Sequence, residues 1–518
     1  MPLTIILFVF MFIFVASILN KKPSSKSPPL PPGPTPLPFI GCIIQMLLNK
    51  PTFRWIHNLM DQFDTPILCI RLGPSTHVIA VSSPNIACEI LKKQDDIFIS
   101  RPDFMSAYLI SDGYLNTAMS PFGEQWKKMK RVINREMFSS PMLKWLQPKR
   151  DEEADLLVRY IFNQTKKQDD VTEGGLINIR TVTQQFCGNM MRNMILGRRL
   201  IGRGMEDGGP GEEETEHVEA LLSILEYLYA FCVTDYFPWL RGKTDLDGHE
   251  KNTRAAIATV RKYQDSLIDE RIRMWNNGGR MEKCDLLDVL IQHDNPKLSP
   301  EEIKSQIIEL MVATIDNPSN AVEWIIGEML NEPMIQKRAV EELDHVVGHD
   351  RLVEEQDLPQ LNYIKACIKE AFRLHPFAPF ILPHVSIMDT TVAGYFIPKG
   401  SHILLSRYGL GRNTNVWEDP LRFNPDRHLD GEGKQVVLSN DELRMISFGT
   451  GKRSCPAMML GSTLTIMLLA RMIQGFTWEV PRNKRCVDLV ENHDDLSLAQ
   501  PLVAVAKPRL PSCIYPTF

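Results

Sequence analysis

Phe448-Gly-Thr-Gly-Lys-Arg-Ser-Cys455-Pro-Ala457 is a run of small and basic residues that ends in a cysteine and gives way at once to the apolar stretch Met458–Phe476. A cysteine ligates a metal as its thiolate. That calls for a sulfur on a tight turn, backbone N–H groups aimed at it and a helix N-terminus behind it to lower its pKa. Gly449 and Gly451 supply the turn, and the apolar text after Cys455 supplies the helix. Phe448 is then placed to lie over the sulfur, and Arg453 to reach an anionic group on whatever the sulfur holds. Cys455 is the candidate metal ligand; a buried cysteine in a glycine turn is the competing reading.

Around this loop the chain has 518 residues, 44% apolar and 23% charged, an ordinary globular composition with enough length for a large core. Its ten cysteines form no Cys-x-x-Cys pair and no zinc-like spacing, so neither a disulfide framework nor a zinc site is indicated, and a reducing compartment suits them. A net charge of −5 argues against a nucleic-acid partner. Leu3 to Leu19 is almost wholly apolar, and at ~1.5 Å per residue it spans roughly 25 Å, close to the thinner endoplasmic reticulum bilayer. Lys21, Lys22 and Lys26 follow the run, which lacks a small-x-small cleavage site. The expectation is an uncleaved single-pass anchor over residues 1–20, with the cytosol from Lys21 onward. A basic and proline-rich linker over 21–38 follows, a stiff spacer, and then one catalytic body over 39–518.

Within that body the periodicity predicts a mainly α fold with small β-sheets. Phe53–Gln62 and Pro84–Lys93 read as helices, Ile67–Leu72 and His77–Val81 as tandem strands. Trp126-Lys-Lys-Met-Lys-Arg131 reads as a basic helix with Trp126 and Lys130 on one face. Glu216–Cys232 and Asp247–Asn276 read as long amphipathic helices joined through the aromatic segment Tyr236-Phe-Pro-Trp-Leu240. Ser299-Pro-Glu-Glu302 opens a helix with a capping box and a proline at its first position, and the pattern continues to Leu330. Its middle, Ala313-Thr-Ile-Asp-Asn-Pro318, predicts a kink, because Pro318 has no N–H to give to the Thr314 carbonyl. Lys365–His375 reads as a helix with Glu370 and Arg373 on one face.

Phe448-x-x-Gly-x-Arg-x-Cys455 resembles the haem-binding loop of the cytochrome P-450 superfamily, whose cysteine is the axial ligand of the iron. Ala457 stands where that superfamily usually has Gly. The other motifs follow in superfamily order from Leu30 to the C-terminus, and the resemblance implies a haem-thiolate fold after the transmembrane helix. It implies that Trp126 and Lys130 bond one haem propionate, Lys130 standing where Arg is usual, and that His384 bonds the second. It implies a buried triad of Glu370, Arg373 and Arg427, and an oxygen-activation segment in which Asp316 is the acid. Asn317 stands there in place of the usual alcohol, followed by Pro318. Asp316-Asn-Pro-Ser-Asn-Ala-Val-Glu-Trp324, His384-Val-Ser386 and Ser406-Arg-Tyr-Gly-Leu-Gly-Arg-Asn413 resemble the plant amino-acid N-hydroxylases that make aldoximes. That branch implies two N-hydroxylations of an L-amino acid, then dehydration and decarboxylation. Haem b would be the cofactor, with electrons from NADPH through NADPH–cytochrome P-450 reductase at the endoplasmic reticulum membrane. Phe104–Met119, Met311–Ser319, Phe377–Pro383 and Leu496–Leu498, expected to line the pocket, are mostly apolar and favour an aromatic or branched aliphatic side chain. Thr314, Asp316, Asn317 and Pro318 are the candidate catalytic residues; Cys455, Arg453, Trp126, Lys130, His384 and Phe448 are the candidate cofactor residues. A monooxygenase of another small plant metabolite, a haem-thiolate isomerase or dehydratase that uses a ready-made peroxide, and a non-enzymatic haem-binding scaffold are the alternatives.

Overall fold

A helix with an apolar stripe must bury it against a neighbour, and a helix that is apolar all round must lie at the centre. The computed structural model describes residues 28–166, 175–429, 435–439, 443–482 and 484–516; the anchor expected over 1–20 and the first part of the basic linker lie outside them. In chain order the elements that build the site are these. Helix α1 is Thr52–Gln62, and strands β1 and β2 are Ile67–Leu72 and Thr76–Val81. Helices α2 and α3 are Glu124–Val132 and Gln147–Lys166, followed by β3 at Gly175–Asn178 and α4 at Ile179–Leu196. Helices α5, α6 and α7 are Glu212–Tyr229, His249–Asn276 and Pro300–Asn331, and α8 is Asn362–Leu374. Strands β4 to β7 are His384–Val385, Thr390–Val392, Tyr395–Ile397 and His402–Leu405. Helix α9 is Met458–Gly475, and β8 and β9 are Phe476–Glu479 and Val503–Pro508.

Helix α7 is the axis, in contact with α4, α5, α6, α8 and α9. Its start is the capping box read from the sequence: Ser299 Oγ accepts the Glu302 N–H at 3.2 Å and a Glu302 carboxylate oxygen accepts the Ser299 N–H at 2.8 Å. Pro318 does not end it; the helix runs to Asn331 without interruption. Side chains flank the lost ladder bond: Asn317 Nδ2 donates to the Ala313 carbonyl at 3.1 Å, and Ser319 Oγ donates to Ile315 at 2.6 Å and Asp316 at 3.1 Å.

The tandem strands form an antiparallel hairpin, Ile67 opposite Val81. The larger sheet runs β1-β2-β7-β4, β7 parallel to β2 and β4 antiparallel to β7. A second sheet runs β3-β9-β8, and β5 and β6 form a hairpin. Ala393 and Gly394 turn that hairpin with φ of 50° and 81°, the left-handed pair a two-residue loop needs. Among the described residues two helical segments, Glu212–Tyr236 and Met458–Gly475, are long and apolar enough to cross a membrane, but much of each is buried inside the body. All ten cysteines are free.

Candidate active site

Glycine is required twice in the cysteine loop. Gly449 and Gly451 have φ of 70° and 73°, and a Cβ on Gly451 would meet the Asp95 carboxylate at 2.7 Å and the Leu91 carbonyl at 2.8 Å. The turn closes through the Cys455 N–H, which donates to the Phe448 carbonyl at 2.8 Å. Cys455 opens into a cavity with about 2030 Å³ of atom-free space, its mouth included, and Phe448, Arg453, Trp126, Lys130 and His384 line the same cavity. The loop read from the sequence and the helix, strand and side chains read apart from it therefore converge. One detail differs from expectation. Burial raises the Cys455 thiol, outweighing the Ala457 N–H and Arg407, which lower it. The helix terminus alone does not make a thiolate here; a cation on the sulfur would.

Trp126 sits between two cations, Arg453 at 4.3 Å and Lys130 at 4.9 Å from its ring centre. Lys130 also donates to the Lys452 carbonyl. Arg453 gives its hydrogen bonds to main-chain carbonyls, Ile99 at 2.7 Å, Ser120 at 2.8 Å and Thr117 at 3.4 Å. Burial and the neighbouring Arg101 push Arg453 down to about 8. Arg101 likewise bonds the carbonyls of Leu382 at 2.7 Å, Pro383 at 2.9 Å and Ala118 at 3.2 Å. His384 Nδ1 lies 2.7 Å from the Phe98 carbonyl, so it carries the hydrogen and Nε2 is the acceptor. Burial and Arg101 hold His384 far below its ordinary value, and it is neutral until an anion arrives.

Buried cations are normally met by carboxylates. Here Arg453, Arg101, Lys130 and Arg407 line one cavity whose only lining carboxylate among the described residues is Glu309. Together with a thiol that needs a cation, this surplus fits an iron porphyrin with its two carboxylates. Cys455 would hold the iron; Arg453, Lys130 and a protonated His384 would hold the carboxylates; Phe448, Gly461 and Ala313 would flank the ring.

Thr314, Asn317 and Pro318 line the cavity from α7, whereas Asp316 is not among its lining residues. Burial raises the Asp316 carboxyl to about 7, Asp495 and Glu323 adding to the effect and Arg180 opposing it. Arg180 in turn bonds Glu323 at 2.9 Å and the Leu498 carbonyl at 2.6 Å. Asp316 therefore belongs to a charged cluster beside the cavity that includes the exposed Asp495.

Below the site, the triad read from the sequence forms and gains a member. Glu370 accepts from Arg373 at 2.7 and 2.8 Å, from Arg427 at 2.9 Å and from the Asn424 N–H at 2.9 Å. His428 Nε2 lies 2.8 Å from the other carboxylate oxygen. Arg101 opens the aperiodic stretch to Ser120 that reads as a pocket-lining loop, and it lines the cavity; sequence reasoning missed Tyr229, Glu309 and Arg407 there. Glu309 follows from helical spacing, one turn before Ala313; the other two carry no local signal.

The family model for cytochrome P450 matches residues 31–505. The chain is 53% identical to valine N-monooxygenase 1 of Manihot esculenta over 523 aligned positions, which cover 99% of this chain and 95% of that protein. It is 50% identical to tyrosine N-monooxygenase of Sorghum bicolor over 95% of this chain and 88% of that one. It is 53% identical to phenylalanine N-monooxygenase of Arabidopsis thaliana over 94% and 93%.

Proposed function

The chain belongs to the cytochrome P450 family, and from that premise we propose that it is a haem-thiolate monooxygenase that converts a hydrophobic L-amino acid to its aldoxime. It hydroxylates the amino nitrogen twice; loss of water and CO2 follows. Electrons come from NADPH through a membrane-bound reductase. The relatives named for valine, tyrosine and phenylalanine support the class of substrate.

The observation that carries the reading is the composition of the cavity. Its walls include Ile110, Met119, Leu225, Leu228, Leu310 and Leu382, yet Arg101 and Arg407 line it besides Arg453 and Lys130, with Glu309 among them. An amino acid with an apolar side chain presents that pattern in reverse. Arg407 and Arg101 suit its carboxylate. Tyr229 hydrogen-bonds Arg407 and orients it. Burial raises the Glu309 carboxyl, which favours uptake of the proton that the substrate ammonium must lose before its nitrogen reacts.

Thiolate-ligated haem supplies O2 activation, the thiolate pushing electron density that favours O–O cleavage. The protein's part is to deliver protons and exclude stray water. Asp316, with its carboxyl near 7 and the exposed Asp495 close by, exchanges protons between solvent and α7. Asn317 commits its Nδ2 to Ala313, which leaves Oδ1 to hold an ordered water in the cavity. Pro318 frees the Thr314 carbonyl as a second acceptor for that water or for the substrate nitrogen.

Attachment to the endoplasmic reticulum membrane, catalytic body in the cytosol, is supported by an exposed apolar group on the face where the described chain begins. Leu37, Phe39, Ile44, Leu47, Leu48, Trp239 and Leu246 are all exposed, and Phe39 packs 6.1 Å from Trp239. The test is to reconstitute the full chain with reductase and NADPH, supply each L-amino acid in turn and identify oximes by mass spectrometry. One or a few hydrophobic amino acids should yield oxime. Failure of all, or oxime without NADPH, overturns the proposal.

A further inference from the structure

We propose that Cys232, Asp247 and His249 form a zinc site that ties together the two ends of the segment joining α5 to α6. Cys232 lies three residues beyond α5, and His249 is the first residue of α6. Their ligand atoms, one sulfur, one carboxylate oxygen and one ring nitrogen, lie within 4.8 Å of one another. The sulfur is 3.6 Å from Asp247 Oδ1, and His249 Nδ1 is 3.7 Å from Asp247 Oδ2. Ligands about 2.0–2.3 Å from a tetrahedral zinc stand roughly 3.3–3.8 Å apart along its edges. Each spacing falls in that range with no ion present, the sulfur against one oxygen of Asp247 and the ring nitrogen against the other.

The chemistry selects the ion. Calcium and magnesium take oxygen ligands, whereas a sulfur, nitrogen and oxygen set suits zinc, with water in the fourth position. The site is also built. Cys232 is 3% exposed, and the Asp247 side chain 4%. The carboxylate is held by the Val233 N–H at 2.9 Å and the His249 N–H at 3.4 Å, and Gly248 between the ligands adopts φ of 74°. His249 Nδ1 is buried without a hydrogen-bond partner, an unusual state for a nitrogen inside a protein and one that a metal would resolve. Thr234 Oγ1 lies 3.1 Å from the sulfur. Sequence spacing gives no hint of this, because the ligands come from two ends of one loop and not from paired motifs.

The segment between the ligands carries the exposed Trp239 and Leu246, and Leu228 and Tyr229 just before it line the main cavity. Zinc would brace the segment that follows this part of the cavity wall.

The experiment uses the full-length, haem-loaded protein incubated with zinc ion alone and passed through gel filtration, with bound metal measured by mass spectrometry. One zinc per chain is expected, falling below one-tenth in Cys232→Ala and in His249→Ala. Trypsin cleavage after the exposed Lys243 should slow in step with zinc binding, approaching about 100-fold when free zinc is about 100 times its dissociation constant. Asp247→Asn, which keeps an acceptor for the Val233 N–H, replaces any variant that does not fold. Zinc that the wild-type chain fails to retain, or retains equally in the variants, overturns the proposal.

Discussion

Glu370→Gln replaces a carboxylate by an amide of the same shape in a place no water reaches: the side chains of Glu370 and Arg373 are both 0% exposed. An exposed pair three residues apart on a helix would be worth about 0–1 kcal/mol. Here the amide leaves the Arg373 guanidinium buried without a countercharge, which costs about 3–5 kcal/mol. The acid–base balance gives a second figure. Burial would raise the carboxyl, but hydrogen bonds from Arg373 and His428 outweigh it and hold the group to about 2 instead of 4.5. That difference corresponds to roughly 3 kcal/mol at neutral pH. Because the folded-state value is depressed, this stability is complete above 4.5 and disappears as pH falls from there toward 2. Urea unfolding of the full chain, followed by far-ultraviolet circular dichroism, should therefore show Glu370→Gln less stable by about 3 kcal/mol at pH 7. The gap should narrow as the pH drops below 4.5, since the parent then loses the same contribution. A variant within about 1 kcal/mol of the parent at pH 7 would place the pair among ordinary surface contacts and refute the reasoning.

Cys455→Ser should abolish the thiolate-type spectrum of the carbon monoxide complex, because an alcohol cannot supply anionic sulfur; an unchanged spectrum excludes Cys455 as ligand. Converting Asn317 and Pro318 both to Thr should return an N–H to the Thr314 carbonyl. Aldoxime formation should then fall while NADPH is still consumed, and parental rates with unchanged coupling would show that the pair only shapes the helix. Deleting residues 1–20 should release the protein, at least partly, from high-salt-washed membranes with haem still bound. Recovery of a shortened mature N-terminus from cells would show a cleaved signal instead.

What could be read in advance was what short-range rules write. Gly449, Gly451 and Cys455 announce their turn because φ near 70° leaves few alternatives, and Glu370 meets Arg373 because one helical turn separates them. His428 joins them only because the chain after Asn424 folds beneath α8. The helix continues past Pro318, and the bonds that Asn317 and Ser319 make to nearby carbonyls around the lost ladder bond are not visible to propensity. Nothing in the sequence says how deeply Arg101 and Arg407 are buried. Only packing shows that main-chain carbonyls hold them inside the cavity wall.

The parallel pairing of β2 with β7 sets a schedule for synthesis. Val78 lies opposite His402, 324 positions later (402 − 78). At about 5–20 residues per second, the ribosome needs roughly 15–65 s to supply the partner. Until then the hairpin Ile67–Val81 presents an open, apolar strand edge, and the strand that carries His384 lacks its partner in the sheet, its earlier contact being the bridge from Val385 to Ser100. The cavity wall is thus among the last parts to close. A chain truncated before Leu405 should be a target for chaperones or aggregation although its central helix is already made.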